Sequence, residues 1–389
     1  MHTGRTVFSQ LFELMPCYEF AKCVQRYDGD WHVRGFSCLD QFLAMAFAQL
    51  TGATSLRQIE TCLAAMQPKL YHSGFRSAII RSTLADANER RDWRIYFDFA
   101  QVLIRIARPL YRADDFGVEM DQTTYALDST TVELCLSLFP WAHYRHDHGA
   151  VKLHTLIDLR GSIPCWIYVS DGKFPDVDAL DRLGPQSGAL YIMDRGYIDF
   201  SRLALFTMSL SYFIIRARRD LAYSRRAYRP VDHATGLRSD QTITLRWPES
   251  AERYPYPLRY VSYYDSEHHR KLVFLTNNFQ LDALKVPQLY KCRWQVELFF
   301  RWIKQHLRIT AFFGTSWNAV KTQIWIAISV YTLIAIARKH FGITRSMHEI
   351  QQILSISLFE QVPIYQALTA EFPQPTHSHP CKQLNLFDL

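Results

Sequence analysis

Fifteen residues, Tyr290 to Lys304 (YKCRWQVELFFRWIK), constrain this chain more than any other stretch. The run holds neither Pro nor Gly, and Pro287 stands just upstream, where it suits a helix start. At about 100° per residue, Tyr290, Arg293, Glu297 and Lys304 fall within roughly 60° of one another, with Arg301 and Arg308 on the same stripe. Val296, Leu298, Phe299, Phe300, Trp302, Ile303 and Leu307 fill the remaining arc, a broad apolar face that has to be buried. A lone carboxylate, Glu297, is thus held among cations on the only polar stripe of an embedded helix. Such a stripe is either a solvated face with Glu and Lys paired, or a site.

The rest of the chain can bury such a helix. Its 389 residues, 48% apolar and 14% aromatic, describe a globular protein of two or three domains. A net charge of +7 favours a polyanionic partner. Eight cysteines show no C-x-x-C pair and no zinc-ribbon spacing, so free, buried thiols in a reducing compartment are expected. The N-terminus has no basic, apolar, cleavable leader. The longest apolar run, Ile324 to Ala337, is too short to span a bilayer and reads as a core helix. A cytoplasmic protein without membrane association is the expectation.

Residues 1–75 read as all-helical. Ser37 and Asp40 mark one helix start, Phe42 to Leu50 is periodic, and Gly52 ends it; Ser55 and Gln58 form a capping box for a second helix through Ala65. Two helices about a Gly-containing turn fit a helix-turn-helix, and equally a helical hairpin that binds nothing. Residues 76–118 read as a helical linker, with the charged DANERRDWR before an apolar helix from Ile95 to Ala107.

The pattern then turns to strands: Thr123 to Asp128, extended by Thr131 to Leu136, then Val151 to Asp158 and Ile163 to Val169 joined at Arg160-Gly161-Ser162. A short helix from Asp176 to Leu183, a buried central strand from Ala189 to Met193, a helix from Asp199 to Ser209 and a strand from Tyr212 to Ile215 follow. This first α/β part covers 119–217. An Arg- and Tyr-rich β region occupies 218–285, final helices 286–345, and a C-terminal region 346–389, mobile from Pro373 onward.

The spacing Tyr-x2-Arg-x3-Glu-x6-Lys, filled by Tyr290, Arg293, Glu297 and Lys304, resembles the signature of DDE-type insertion-sequence transposases of the insertion sequence four family. That family's second block, Asp-x-Gly-Tyr or Phe, is matched by Asp194-Arg195-Gly196-Tyr197. Its first aspartate, in a strand followed by small polar residues, is matched by Asp128 in LDSTT. The stretch SQLFELMP…FSCLDQFLAMAFAQLTGATSLRQIE resembles the N-terminal domain of one branch of these enzymes. The resemblance implies an α/β fold: a ribonuclease-H-like catalytic core, a β-rich insertion before the last catalytic helix, and an all-helical N-terminal DNA-binding domain. It also implies a transposase that binds the terminal inverted repeats of its insertion sequence, cleaves there, and joins the ends to target DNA. Cut-and-paste movement through a hairpin, and a homodimer in the synaptic complex, belong to the same expectation.

Cutting a phosphodiester needs a strong nucleophile from water and relief of charge on the pentavalent phosphate. Two Mg²⁺ ions, with Mn²⁺ as the alternative, supply both and take oxygen ligands from carboxylates on rigid elements. Asp128 and Asp194, at ends of predicted strands, and Glu297, on the covering helix, are the expected catalytic metal ligands. Arg293, Lys304 and Tyr290 would then grip phosphates flanking the scissile bond, Arg301 facing the same side; the alternative for Arg293 is a pair with Glu297 one turn away.

In the insertion, Arg216, Arg218, Arg219, Arg225, Arg226 and Arg229 crowd together with Tyr223 and Tyr228 between them, which suits a DNA-tracking surface or a solvated loop. Trp247 is either the aromatic that stacks on a flipped base, as the resemblance implies, or a core tryptophan. His143, His146, His148 and His154 lack a spaced partner that would complete a zinc set. Two rival functions stay open on these residues: a catalytically silent DNA-binding regulator derived from a transposase, and a metal-dependent nuclease of the same fold.

Overall fold

The computed structural model describes residues 4–145, 148–306 and 312–369. One mixed sheet of ten strands forms its centre. The strands are β1 Thr124–Cys135, β2 His143–Arg145, β3 His148–Asp158, β4 Ile163–Asp171, β5 Leu190–Met193, β6 Tyr212–Arg216, β7 Tyr223–Arg229, β8 Leu237–Leu245, β9 Leu258–Asp265 and β10 Arg270–Thr276. In space they run β2-β3-β1-β5-β6-β10-β9-β8-β7, with β4 also paired to β3. β5 lies parallel to both β1 and β6, and every residue of it is buried, which is why it reads as an unbroken apolar run. Three antiparallel strands, β4-β3-β1, followed by two parallel ones, give the ribonuclease-H-like core expected from the sequence.

The β3–β4 turn falls on Arg160-Gly161-Ser162, with Gly161 and Ser162 at φ 76° and 55°. Gly161 has a second reason to be glycine, because a Cβ there would lie 2.1 Å from the Tyr111 ring. Side chains alternate across the sheet and divide the core in two. Ala126, Ile157, Leu190, Ile192 and Ile214 face one layer of helices, while Tyr125, Leu127, Leu156, Tyr191, Met193, Phe213 and Ile215 face the helix Phe200–Met208.

Region 218–285 forms no body of its own. β10 pairs with β6, and β9, β8 and β7 add outward, so the insertion extends the central sheet. A buried pair ties two of these strands together: Arg259 on β9 donates to both oxygens of Asp240 on β8, at 2.9 and 2.8 Å.

The helix Trp317–His340 is longer than the apolar run inside it. At 24 residues it is long and apolar enough to cross a membrane, yet 94% of its most apolar stretch is buried within the protein. Its Ser329 and Thr332 hydroxyls return to the carbonyls four residues back, at 2.8 Å each, which satisfies them without water. It packs along the helix Arg94–Leu110, whose Ile95, Phe99, Leu103 and Ala107 join the main core, so the segment expected as a linker is part of the central packing.

At the N-terminus the helix Cys38–Thr51 has the Ser37–Asp40 capping box and ends at Gly52 with φ 67°. Ser55 caps the helix Leu56–Ala65, but Gln58 reaches the Thr54 amide at 2.9 Å, one residue short of a reciprocal box. The first described helix is tied to the C-terminal region: Val7 and Phe8 amides donate to Glu360 and Leu358 carbonyls at 2.9 and 2.8 Å. Among the described residues all cysteines are free, as expected, but Cys17, Cys62 and Cys135 are exposed, since they fall on outward faces. The stretch from Pro373 lies outside the described residues.

Candidate active site

The parallel register of β1 and β5 ends at Leu127 opposite Met193. The next residue on each strand is an aspartate, so Asp128 and Asp194 stand side by side where β5 stops and the sheet opens, the usual place for a site in a parallel sheet. Two positions back are Ala126 and Ile192, both in the core beneath the helix layer, so alternation aims both carboxylates at that layer. Asp194 then caps a tight turn, its Oδ1 accepting from the Gly196 amide at 2.7 Å. A Cβ on Gly196 would sit 2.9 Å from that same oxygen, which explains the glycine in the motif.

The expected single helix is two. Lys285–Cys292 ends at Arg293, and Trp294–His306 begins directly after it. Arg293 itself stays in the helical region, but the Arg293 amide bonds the Tyr290 carbonyl at 3.2 Å and the Val296 amide bonds the Arg293 carbonyl at 3.1 Å, the tighter i,i+3 pattern. Pro287 is the third residue of the first segment, where a missing amide proton still costs nothing. Beyond the break Val296, Phe299, Phe300, Trp302 and Ile303 are buried, whereas Leu298 is 45% exposed beside Trp294. The buried face is therefore narrower than its apolar residues suggested.

Arg293 joins the two walls. Its Nη1 ion-pairs with Asp128 Oδ2, and its Nη2 donates to Glu297 Oε1 at 2.6 Å. The pair with Glu297 expected from spacing is present, and Arg293 pairs with a strand carboxylate as well. Burial pushes the Asp128 carboxyl up to about 6; Arg293 and the Ser129 amide oppose this, while the charges of Asp194 and Glu297 add to it. Tyr290 packs its ring on Phe274, centroids 4.8 Å apart, under the Arg293 guanidinium. Burial lowers the Lys304 ammonium pKa, against the pull of Glu133. Arg301 lies outside this cluster, over the exposed Trp294 ring at 5.6 Å.

In the insertion, Arg218, Arg219, Arg225 and Arg226 are exposed, as is Tyr228. Arg226 bonds Thr244 at 3.0 Å across the β7–β8 pair. Arg229 is not part of that surface, being paired to Asp240 at 3.5 Å. Trp247 is 62% exposed at the start of the helix Pro248–Arg253, which removes the core reading. His154 is fully buried and bonded to Ser170 at 3.1 Å, so it belongs to the sheet interior and not to a loop cluster; His146 lies outside the described residues.

The donor set suits a hard divalent cation. Asp194 Oδ2 and Glu297 Oε2 make no hydrogen bond among the described residues. Thr155, the cross-strand partner of Asp128, is buried with its hydroxyl unpartnered. Arg293 supplies the positive charge between Asp128 and Glu297. The three carboxylates stand more openly than an assembled ligand set: the three-residue group drawn within 4.8 Å among the described residues is Asp265, Glu267 and His268. That group lies at the β9–β10 turn, with Asp265 already bonded to His268 at 2.9 Å and Arg270 at 3.3 Å.

Spacing alone does not reveal Trp294 or Asp176, whereas Ser129 and Tyr197 stand inside the LDSTT and DRGY motifs. Trp294 lies inside the signature run but carries no period of its own, and Asp176 comes near only through the fold.

Asp128 inside β1, where its pairing with β5 has just ended, Asp194 just past β5 and Glu297 on a covering helix form a carboxylate cluster on a ribonuclease-H-like core. The sequence placed Asp128 at a strand end, but β1 runs on to Cys135 because its pairing with β3 continues. Residues 119–333 match the family model described as a transposase DDE domain, and residues 3–76 match one described as a domain of unknown function, DUF4372. A putative transposase, y4zB, of Sinorhizobium fredii (strain NBRC 101917 / NGR234) is 28% identical over 302 residues, 76% of this chain and 82% of that protein. A probable transposase for insertion sequence element IS5377 of Geobacillus stearothermophilus is 31% identical over 212 residues, 54% of this chain and 55% of its own. The piggyBac transposase synaptic complex with hairpin DNA has a TM-score of 0.44 and 12% identity, over 95% of this chain and 85% of that one, a likeness too loose to bear on mechanism. The chain belongs to the DDE transposases, enzymes that cut and rejoin DNA with divalent metal.

Proposed function

We propose that this transposase binds the terminal inverted repeats of its own insertion sequence, cleaves at those ends and joins them to target DNA by cut-and-paste, through a hairpin at the element's end. The observation that carries the reading is the juxtaposition of Asp128 on β1 and Asp194 just past β5, on neighbouring strands, with Glu297 linked to Asp128 through one arginine. Asp128, Asp194 and Glu297 would hold two Mg²⁺ ions, which would supply activation of the attacking oxygen and charge neutralisation at the phosphate. A paired strand, a strand end and a packed helix carry the three carboxylates. Arg293 serves as internal counter-ion in the free protein and turns to a DNA phosphate once its carboxylates are engaged elsewhere. Tyr290 supports that guanidinium from below, and Lys304 and Arg301 extend the positive edge along the helix.

Water attacks phosphorus in the cleavage step and the 3′-oxygen leaves. That freed 3′-hydroxyl attacks the opposite strand to form the hairpin, water reopens it, and the same hydroxyl attacks target DNA in joining. Each attack expels a 3′-oxygen, so one constellation serves every displacement. The exposed arginines 218, 219, 225 and 226, with Trp247, form the surface that tracks the element's end. A homodimer brings two ends together, acting on the nucleoid in the cytoplasm. The test is Mg²⁺-dependent nicking of DNA carrying the element's ends, followed by joining of pre-cleaved ends to a target. A wild-type protein that binds but never nicks is a silent regulator, and one that nicks but never joins is a nuclease.

A further inference from the structure

The residue after Asp128 on β1 points to the opposite face of the sheet. That residue, Ser129, donates its hydroxyl to Asp176 Oδ1 at 2.6 Å. Asp176 opens the 3-10 turn that follows β4. Two groups of β3 approach the same oxygen, Lys152 Nζ at 3.3 Å and His154 Nδ1 at 3.6 Å. His154 is the cross-strand partner of Ser129 and fully buried; burial lowers its pKa to about 4, so the imidazole is neutral, and its Nδ1 has no hydrogen bond. Every one of these contacts falls on Oδ1. Asp176 Oδ2 makes no hydrogen bond among the described residues, and the side chain is 39% exposed. Asp176 is thus gripped by one oxygen and presents the other.

A buried hydroxyl closes the group. Tyr197 is 1% exposed, and its hydroxyl has no hydrogen bond within 3.5 Å. Burial chiefly raises its pKa, the charges of Asp128, Asp176 and Asp194 act in the same direction, and the Ser129 side chain opposes them. Buried hydroxyls are seldom left without an acceptor, which marks this one as poised for a bond formed in another state. A plain structural pair between Lys152 and Asp176 explains neither the open oxygen nor the orphaned hydroxyl.

We propose that Asp176 is an outer carboxylate of the cation site, a positioning residue that fixes the Asp128 segment of β1 through Ser129 from the far face of the sheet. With Tyr197 it supplies the hydrogen-bonding shell behind the ligands, the kind of support that tunes metal affinity. The inference rests on the reading of Asp128 as a metal ligand.

Mn²⁺ binding by the full-length protein, followed through the electron paramagnetic resonance signal of free Mn²⁺, tests it without any catalytic readout. Asp176→Asn is expected to weaken Mn²⁺ about 10-fold or more, with Asp176→Glu recovering most of the affinity. Should Asp176→Asn fail to fold in EDTA, Ser129→Ala breaks the same link and is expected to weaken Mn²⁺ in the same direction. Asp128→Ala, measured alongside, is expected to lose saturable binding. Asp176→Asn and Ser129→Ala within twofold of wild type, with binding lost in Asp128→Ala, overturn this inference alone. Wild-type binding by Asp128→Ala overturns the metal reading and this inference together.

Discussion

The Arg293 guanidinium is ion-paired to the Asp128 carboxylate, 165 residues away along the chain. The same group also holds Glu297, so a single cation joins β1 to the helix that covers it. Both partners are mostly buried, at 17% and 19% side-chain exposure, which makes the pair matter more than a surface bridge. It also means that the carboxylates are already charge-compensated before any ion arrives.

Removing that cation leaves two carboxylates uncompensated. Arg293→Ala is expected to cost about 1–3 kcal/mol of stability in EDTA. Mg²⁺ is expected to recover part of it, because the ion replaces the missing charge. Thermal melts with EDTA and with Mg²⁺ check this; equal destabilisation in both would mean that Arg293 and the ions do not share a site.

Asp128→Ala, Asp194→Ala and Glu297→Ala are each expected to reduce cleavage by more than the roughly 10–100-fold typical of losses behind the ligands. Gel-shift affinity for the element's ends should stay near wild type, since none of the three lies on the arginine-rich surface. Wild-type nicking by one of the mutants would remove that residue from the ligand set.

Asp128 has a folded-state pKa of about 6, above the 3.8 of an unperturbed aspartate. Between those values the folded protein holds a proton that the unfolded chain has released, so metal-free stability falls as pH rises from about 4 to about 6 on account of this residue. Asp128→Asn should flatten that part of the stability profile. Denaturant titrations of both proteins in EDTA across this range read the difference directly, and parallel profiles would contradict the assignment.

Trp247→Ala and the pair Arg225→Ala with Arg226→Ala touch exposed side chains, so melting temperatures should change little. Affinity for end DNA should fall severalfold. For the arginine pair, the slope of log affinity against log salt should shrink by about 1 for each phosphate that is no longer neutralised. An unchanged slope would place the DNA path elsewhere.

Local rules are written in the sequence, and the elements that follow them are where periodicity puts them. Ser37, Asp40 and Gly52 bound their helix because capping and left-handed backbone are decided within a few residues. Leu190 to Met193 declares a doubly buried strand by lacking polar positions, and Arg160-Gly161-Ser162 declares its turn. Asp194 and Glu297 were legible because their motifs are short and contiguous.

Tertiary structure decided the rest. Whether Trp247 is buried depends on its tertiary surroundings, not on TITLRWP, and the second partner of Arg293 is a carboxylate contributed by β1. The insertion reads as a separate β unit until β10 is seen to pair with β6, a pairing that no local pattern encodes. Asp176 looks like an ordinary turn aspartate until the pleat of β1 sets Ser129 behind Asp128. Periodicity reports which face of an element is buried; only the packed chain determines what that face meets.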